Sequence, residues 1–242
     1  SPRISLAWQA TPWLQPYVSY AEGFRAPSLT ELYVGGQHFP GNRFVPNPNL
    51  RPETSRNTEI GTNLRFGDVL RPGDRLRVRL TAFHNEIDDF IEQVVLRTTT
   101  VARNIGSARI QGVEAEAQYD AGTWWAGVGA AAIEGDNLET NQPLASIPAH
   151  RLNFNGGYRF LESGVTVGAR WTLTADQDRA PNLPGVAQET SGYGLVDLFA
   201  SWTPQAAPNL RLGLAVDNLL DQPYRPVSWN SALPPPFYAV GR

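Results

Sequence analysis

Three histidines, His38, His84 and His150, are the side chains of this 242-residue chain with the most to offer a metal centre. The chain has no Cys and no Met, so disulfides and thiolate metal sites are excluded. No Ser-His-Asp set and no pair of carboxylates stands at positions that suggest a catalytic site, and we expect no enzyme. The formal net charge of −3, without a basic arm or a phosphate-binding loop, gives no reason to expect a nucleic-acid partner.

His38 lies in a long polar loop, residues 24–53, which also holds Tyr33 and Arg43. Tyr33 could supply a phenolic oxygen ligand, although an aromatic ring packed under the loop is the plainer interpretation. Arg43 could pair with a ligand carboxylate, because a guanidinium matches carboxylate geometry. Gly35, Gly36 and Gly41 allow the loop backbone to move over a ligand. His150 opens a later strand and is a weaker second candidate, while a solvated loop side chain is the plainer interpretation of His38.

The segments that must position this loop are amphipathic strands. Polar and apolar residues alternate over residues 75–82, 112–119 and 151–160, and successive strand residues point to opposite faces. We therefore expect residues 76, 78, 80 and 82, with residues 152, 154, 158 and 160, to lie on one apolar face. Arg77, Arg79, Asn153 and Arg159 should lie on the opposite, polar face.

The connections between strands alternate in length, which favours a membrane barrel over a soluble sandwich. Short turns at 11–14, 120–123 and 161–164 alternate with long loops at 24–53, 134–149 and 175–192. Outer-membrane β-barrels have this pattern, with short turns on one side of the bilayer and long loops on the other. Aromatic residues near the short turns predict an interfacial girdle; they are Trp13, Phe66, Tyr119, Trp124, Trp125, Phe160 and Trp202.

The pattern predicts an all-β, antiparallel sheet of about ten strands. They fall near residues 3–10, 15–23, 54–66, 74–93, 98–119, 123–134, 150–161, 164–175, 192–203 and 208–219. The fourth and fifth strands are longer than the membrane is thick, and they should project beyond it as an extended hairpin. Ten strands that end in a loop leave two bare edges, so we expect residues 1–242 to be one part of a larger barrel, without a second domain.

Several short motifs resemble those of the TonB-dependent outer-membrane receptors. They are Phe-Arg-Ala-Pro at 24–27, Asn-Pro-Asn-Leu at 47–50 followed by Arg-Pro-Glu, Asn-Ile-Gly at 104–106, Gly-Val-Glu at 112–114, and Val-Asp-Asn-Leu-Leu-Asp at 216–221. The resemblance covers nearly the whole chain, in the order of the C-terminal half of such a receptor. It implies a bacterial outer-membrane barrel of roughly 22 strands with an N-terminal plug, of which this chain is the C-terminal portion. By the same resemblance the TonB complex would act through the missing plug, and the barrel would contact membrane lipid and lipopolysaccharide.

A histidine between the Phe-Arg-Ala-Pro and Asn-Pro-Asn-Leu motifs resembles the haem-uptake receptors of this family. The resemblance implies that haem is the transported ligand, free or from a haemoprotein or haemophore, and that His38 is an axial ligand of its iron. Haem iron accepts His, Tyr, Cys or Met, and this chain has only the first two types. Tyr33, Arg43 and His150 are secondary candidates for haem contact, and no tightly held catalytic cofactor is expected. A ferric-siderophore receptor and a passive porin-type channel are the alternatives, whereas copper uptake is disfavoured without Cys or Met.

Overall fold

The computed structural model describes residues 1–144, 147–181 and 189–225. The predicted loops 134–149 and 175–192, and the stretch after the last strand, lie partly outside these residues. In chain order the elements are β1 (Arg3–Ala7), β2 (Leu14–Arg25), α1 (Leu29–Tyr33), β3 (Gly36–Phe39), β4 (Asn42–Val45), β5 (Glu53–Gly67), β6 (Arg75–Val95), β7 (Thr99–Asp120), β8 (Trp124–Asn137), β9 (Gln142–Pro143), β10 (Arg151–Phe160), β11 (Val165–Thr174), β12 (Tyr193–Trp202) and β13 (Leu212–Val216).

Ten strands form one continuous antiparallel sheet, in the order β1-β2-β5-β6-β7-β8-β10-β11-β12-β13. The number and succession of strands confirm the sequence prediction. The first and last are shorter than predicted, at five residues each. Among the described residues β1 pairs only with β2, and β13 only with β12.

The register confirms the predicted parity of the two sheet faces. Leu80 stands opposite Thr62 and Ala115, and Leu152 stands opposite Leu173, on the apolar face. On the other face the Tyr17 hydroxyl donates to Glu59 at 2.7 Å and lies 2.8 Å from the Thr81 hydroxyl. In a transmembrane barrel the apolar face is the one that contacts lipid.

Aromatic rings meet in pairs close to the short turns, as an interfacial girdle requires. Trp13 stacks on Phe66 with ring centroids 5.7 Å apart, and Tyr119 meets Trp124 at 4.9 Å. The prediction was wrong for Trp125, because neighbouring strand residues face opposite ways. Its ring lies on the polar face, where the Arg159 guanidinium sits 4.5 Å from the ring centroid.

No helix in the three described stretches is long and apolar enough to span a membrane.

The closely packed apolar clusters lie at the loop end of the sheet, beyond its membrane-spanning part. One consists of Ile105, Ala108, Leu144 and Ile147, beneath the loop that follows β8. The other, here called the tip core, consists of Leu50, Ile91 and Ala102, with Leu32 packed against it. The tip core ties the 24–53 loop to the projecting ends of β6 and β7.

An ion-pair cluster anchors the start and the end of the same loop. Arg25 donates to both carboxylate oxygens of Glu53, at 2.6 and 2.8 Å, and to Glu31 at 3.0 Å. Glu53 is only 8% exposed and also accepts the backbone N–H of Ile91 at 2.6 Å. The hydrogen bonds to Glu53 and Glu31 stabilise the charged guanidinium and raise the pKa of Arg25. Arg25 of the Phe-Arg-Ala-Pro motif therefore has a structural role in joining the two ends of the loop to β6.

The short helix α1 begins with a capping box inside this loop. The Glu31 N–H donates to the Ser28 hydroxyl at 3.2 Å, and the Ser28 N–H donates to the Glu31 carboxylate at 2.7 Å. Burial opposes ionisation of Glu31, but the hydrogen bonds from Ser28 and Arg25 outweigh it and lower its pKa. This contribution to stability is present above the normal carboxyl pKa and is lost as the pH falls through the lowered value.

A charge on the apolar face should destabilise the barrel. Phe154 lies mid-strand in β10 and stacks on Trp171, with centroids 5.7 Å apart. In the complete receptor, Phe154→Arg should lower the free energy of unfolding by about 2–4 kcal/mol if the residue lies near the bilayer centre. Asn155→Arg, on the polar face one residue away, is the matched control and should cost much less. Urea unfolding in liposomes, followed by tryptophan fluorescence, measures both, and equal losses would contradict the assignment of faces.

Removing Arg25 should loosen the loop without unfolding the barrel wall. Arg25→Ala leaves the buried Glu53 carboxylate without its cation, and we expect local opening to become easier by about 1–2 kcal/mol, because Arg25 is partly exposed. The Ile91 amide, which donates to Glu53, should then exchange its hydrogen roughly tenfold faster or more. Arg56→Ala, which breaks the exposed pair with Asp88, is the control. Unchanged exchange at Ile91 would contradict the anchoring role.

Candidate functional site

His38 lies on a small β-hairpin, which the sequence did not predict, inside the 24–53 loop. Strands β3 and β4 pair with each other, and Pro40 and Gly41 form the turn between them. The φ of Gly41 is 85°. Proline followed by a glycine of positive φ is typical of a type II turn. His38 is thus held on a hydrogen-bonded hairpin instead of a free loop.

The hairpin is fixed to the projecting part of β7. Strand β4 pairs with β7 in parallel, with Phe44 opposite Thr100 and Val45 opposite Val101. The pairing of β8 with β7 reaches only to Ala108, so the edge of β7 beyond that residue is free to accept another strand. The loop occupies this edge.

The Asn-Pro-Asn-Leu motif continues the attachment further along β7. The Asn47 side-chain amide donates to the Ala102 carbonyl at 3.0 Å. Asn104 accepts the Arg51 N–H at 2.8 Å and donates to the carbonyls of Arg51 and Asp89, at 2.9 and 2.6 Å. Leu50 is buried in the tip core. The motifs on either side of His38 therefore attach its loop to β6 and β7.

The imidazole of His38 is exposed on its hairpin and contacts side chains on one edge. Its Nδ1 lies 3.0 Å from the Thr100 hydroxyl. That hydroxyl donates to the Asn42 carbonyl oxygen at 2.7 Å, and the Asn42 amide donates to the Leu96 carbonyl at 2.7 Å. Thr100 and Asn42 are almost completely buried, at 0% and 1% exposure. Within the described residues Nε2 has no hydrogen-bond partner.

Two phenylalanines flank the His38 ring. The Phe44 centroid lies 4.1 Å from that of His38, with 31° between the planes, and Phe39 lies at 4.9 Å and 51°. The arrangement presents one nitrogen ligand beside aromatic surface. It could bind a flat, apolar ligand that carries an electron-accepting metal.

Tyr33 and Arg43 belong to the same loop and are both exposed. Tyr33 is the last residue of α1 and is 63% exposed, so its ring is not packed under the loop. Arg43 follows the buried Asn42 in β4, and its backbone N–H donates to the Thr98 carbonyl at 3.0 Å. Among the described residues its guanidinium forms no ion pair, so it is available to an anionic group.

His150 lies elsewhere. It lines the apolar sheet face with Leu152 and Leu173, and its carbonyl accepts the Ala175 N–H. The next residue, Arg151, pairs with Ala131 of β8, which in turn pairs with Glu114 of β7. Glu114 is separated from Thr100 by about 45 Å of strand. The structure therefore does not bring His150 to the His38 hairpin.

Sequence reasoning missed Asn42, Phe44 and Thr100. Asn42 and Phe44 lie close to His38 in the chain, but nothing in the sequence indicates that they face it. Thr100 is 62 residues away from His38 and meets it only through the pairing of β4 with β7. Over the part of the chain that the structure describes, no three His, Cys, Asp or Glu side chains cluster as a metal-ion site. His38 would thus be a single ligand to a metal whose other positions are filled by something else.

The chain matches the family model for the TonB-dependent receptor-like β-barrel over residues 1–219. It is 35% identical, over 246 residues, to heme/hemopexin utilization protein C of Haemophilus influenzae, an alignment that covers 93% of this chain and 34% of that protein. The chain therefore spans about a third of the length of this relative.

Solved structures show the same fold at lower sequence identity. The Serratia marcescens hemophore receptor HasR, solved with its hemophore HasA and heme, is 23% identical with a TM-score of 0.68, over 92% of this chain and 37% of that one. The copper transporter OprC is 21% identical with a TM-score of 0.73, over 93% and 34%. The same fold thus occurs in a hemophore receptor and in a copper transporter. Sequence and fold agree that this chain belongs to the TonB-dependent receptor β-barrel family of the bacterial outer membrane.

Proposed function

We propose that the chain is the C-terminal barrel portion of a receptor that imports haem across the outer membrane, with His38 as an axial ligand of the haem iron. The observation that carries the proposal is the exposed imidazole of His38, in contact with Phe39 and Phe44 on a hairpin at the outer tip of the sheet. The 35% identical relative named for heme and hemopexin supports the same cargo.

The chemistry of a single nitrogen ligand favours haem over a bare metal ion. A metal ion held by protein alone usually needs three or four ligands. In haem the porphyrin supplies four nitrogen ligands to the iron, so the protein needs to add only one imidazole nitrogen as an axial ligand. The flanking phenylalanine rings add apolar contact for the macrocycle. The exposed Arg43 guanidinium is suited to a propionate, and Tyr33 lies on the same loop as a further contact.

The rest of the transport cycle follows from membership of the family. TonB, acting through an N-terminal plug, would supply energy. The cargo would arrive as free haem or from a haemoprotein or haemophore, since the relatives include one named for hemopexin and one solved with a hemophore. Membrane lipid and lipopolysaccharide would surround the apolar face. In this proposal the chain carries its ligand without reacting with it, so the function is transport and not catalysis.

His38→Ala in the complete receptor should abolish or greatly weaken growth on haem as sole iron source, because the iron loses a protein ligand. Receptor abundance in the outer membrane and growth on a ferric siderophore taken up by another receptor should not change. In purified receptor, the haem absorbance shift seen on titration should be lost. His84→Ala, on another part of the chain, is the matched control.

Two results would redirect the assignment. Normal haem-dependent growth of the His38→Ala strain would move the ligand role to Tyr33 or to the plug. A wild-type receptor that binds a ferric siderophore without any haem absorbance shift would instead make it a siderophore receptor of the same family.

A further inference from the structure

We infer that Thr100 and Asn42 are positioning residues that fix the tautomer of His38 and present its Nε2 as the iron ligand. The inference rests on the proposed role of His38 and deepens it. It concerns two buried side chains that would not touch the cargo.

The Leu96 carbonyl, at the end of this hydrogen-bond chain farthest from His38, sets the direction of every bond in it. The Leu96 carbonyl can only accept, so the Asn42 group 2.7 Å away must be the NH2. A flipped amide would place two acceptor oxygens against each other, which excludes that orientation. The carbonyl oxygen of Asn42 therefore faces Thr100.

The orientation of Asn42 makes the Thr100 hydroxyl a hydrogen-bond acceptor toward His38. Its single hydroxyl proton is donated to the Asn42 oxygen at 2.7 Å. The oxygen atom of Thr100 can only accept from the imidazole, whose Nδ1 lies 3.0 Å away. Nδ1 must carry the proton. A neutral imidazole has one N–H, so Nε2 has the free lone pair that a metal requires.

Burial makes this arrangement firm. Thr100 and Asn42 are shielded from water, so an unsatisfied hydroxyl or amide would cost about 1–3 kcal/mol. The chain of bonds ends on the tip of the β6–β7 hairpin, where the Leu96 N–H donates to the Thr99 carbonyl at 2.8 Å. The orientation of the His38 ring is thus tied to that turn.

The nature of the acceptor affects the strength of the ligand. Partners that accept the second N–H of a metal-bound histidine orient the ring and raise its basicity, and a carboxylate does so most. Thr100 is a neutral acceptor and donates less electron density to the imidazole. A moderate iron ligand suits a receptor that must release its cargo.

The test uses the complete receptor loaded with haem, with two readouts, the dissociation constant for haem and the reduction potential of the bound iron. Thr100→Val keeps the side-chain shape and removes the acceptor. We expect haem binding to weaken by about tenfold or more and the potential to rise, because the ligand donates less. Thr100→Ser should restore both values, and Thr98→Val, on the exposed side of the same turn, should change neither.

A second variant acts on the direction of the hydrogen bonds. Asn42→Leu keeps the approximate shape of the side chain and removes the acceptor of the Thr100 hydroxyl proton, so Thr100 can donate to Nδ1 and leave the imidazole proton on Nε2. Haem binding should weaken by about tenfold or more, and this keeps the inference testable even if Thr100→Val disturbs the hairpin. Haem dissociation constants and reduction potentials equal to the wild type in both variants, with His38→Ala still abolishing binding, would overturn the positioning role and leave the proposed function intact. If His38→Ala itself binds haem normally, the proposed function fails and this inference fails with it.

Discussion

The free edge of β7 is the constraint on which the outer part of this structure depends. Strands β6 and β7 continue together well past the point where β8 stops pairing, so one side of β7 would expose bare backbone donors and acceptors. Unpaired strand edges are unfavourable and invite pairing with other chains. The 24–53 loop covers this edge. Its strand β4 pairs in parallel with β7, and further along the Asn47 side chain and the Arg51 N–H donate hydrogen bonds to Ala102 and Asn104 of β7.

This attachment explains what the motifs around His38 do. Arg25 and Glu53 join the two ends of the loop, and Leu50 fills the tip core. Each of these side chains has a structural role that does not require contact with a ligand. Between the motifs, His38, Phe39, Arg43 and Phe44 stand on the β3–β4 hairpin, where the proposed ligand chemistry would take place.

The barrel wall and the loops meet different physical requirements. In the wall each strand alternates, with apolar residues toward lipid and polar residues toward the interior, and few side chains are deeply buried. In the loop end, buried clusters pack around Ile105 and Ile91 as they would in a soluble protein. The chain shares its fold with both a copper transporter and a hemophore receptor. In the proposed function, exposed groups on the loops would select the cargo.

The sequence alone determined the wall. A period of two in hydrophobicity sets the face of every residue, as Leu80 and Arg79 illustrate, and the alternation of turn lengths sets the order of antiparallel neighbours. Both are local properties, so ten strands and their parity could be predicted. Trp125 was misassigned because its nearness to a turn was given more weight than its parity.

The tertiary structure alone decided the surroundings of His38. The hairpin exists because β4 finds an edge on β7 that is distant in sequence, and Thr100 meets His38 across 62 residues. Hydrophobic pattern and secondary-structure propensity describe residues that are close in sequence. Pairing at the edge of a strand depends instead on where the neighbouring strands end, which involves residues distant in sequence. For the same reason the sequence did not show how far His150 lies from His38 along the sheet. The sequence identified the candidate residue, and the fold decided which of its two ring nitrogens faces Thr100.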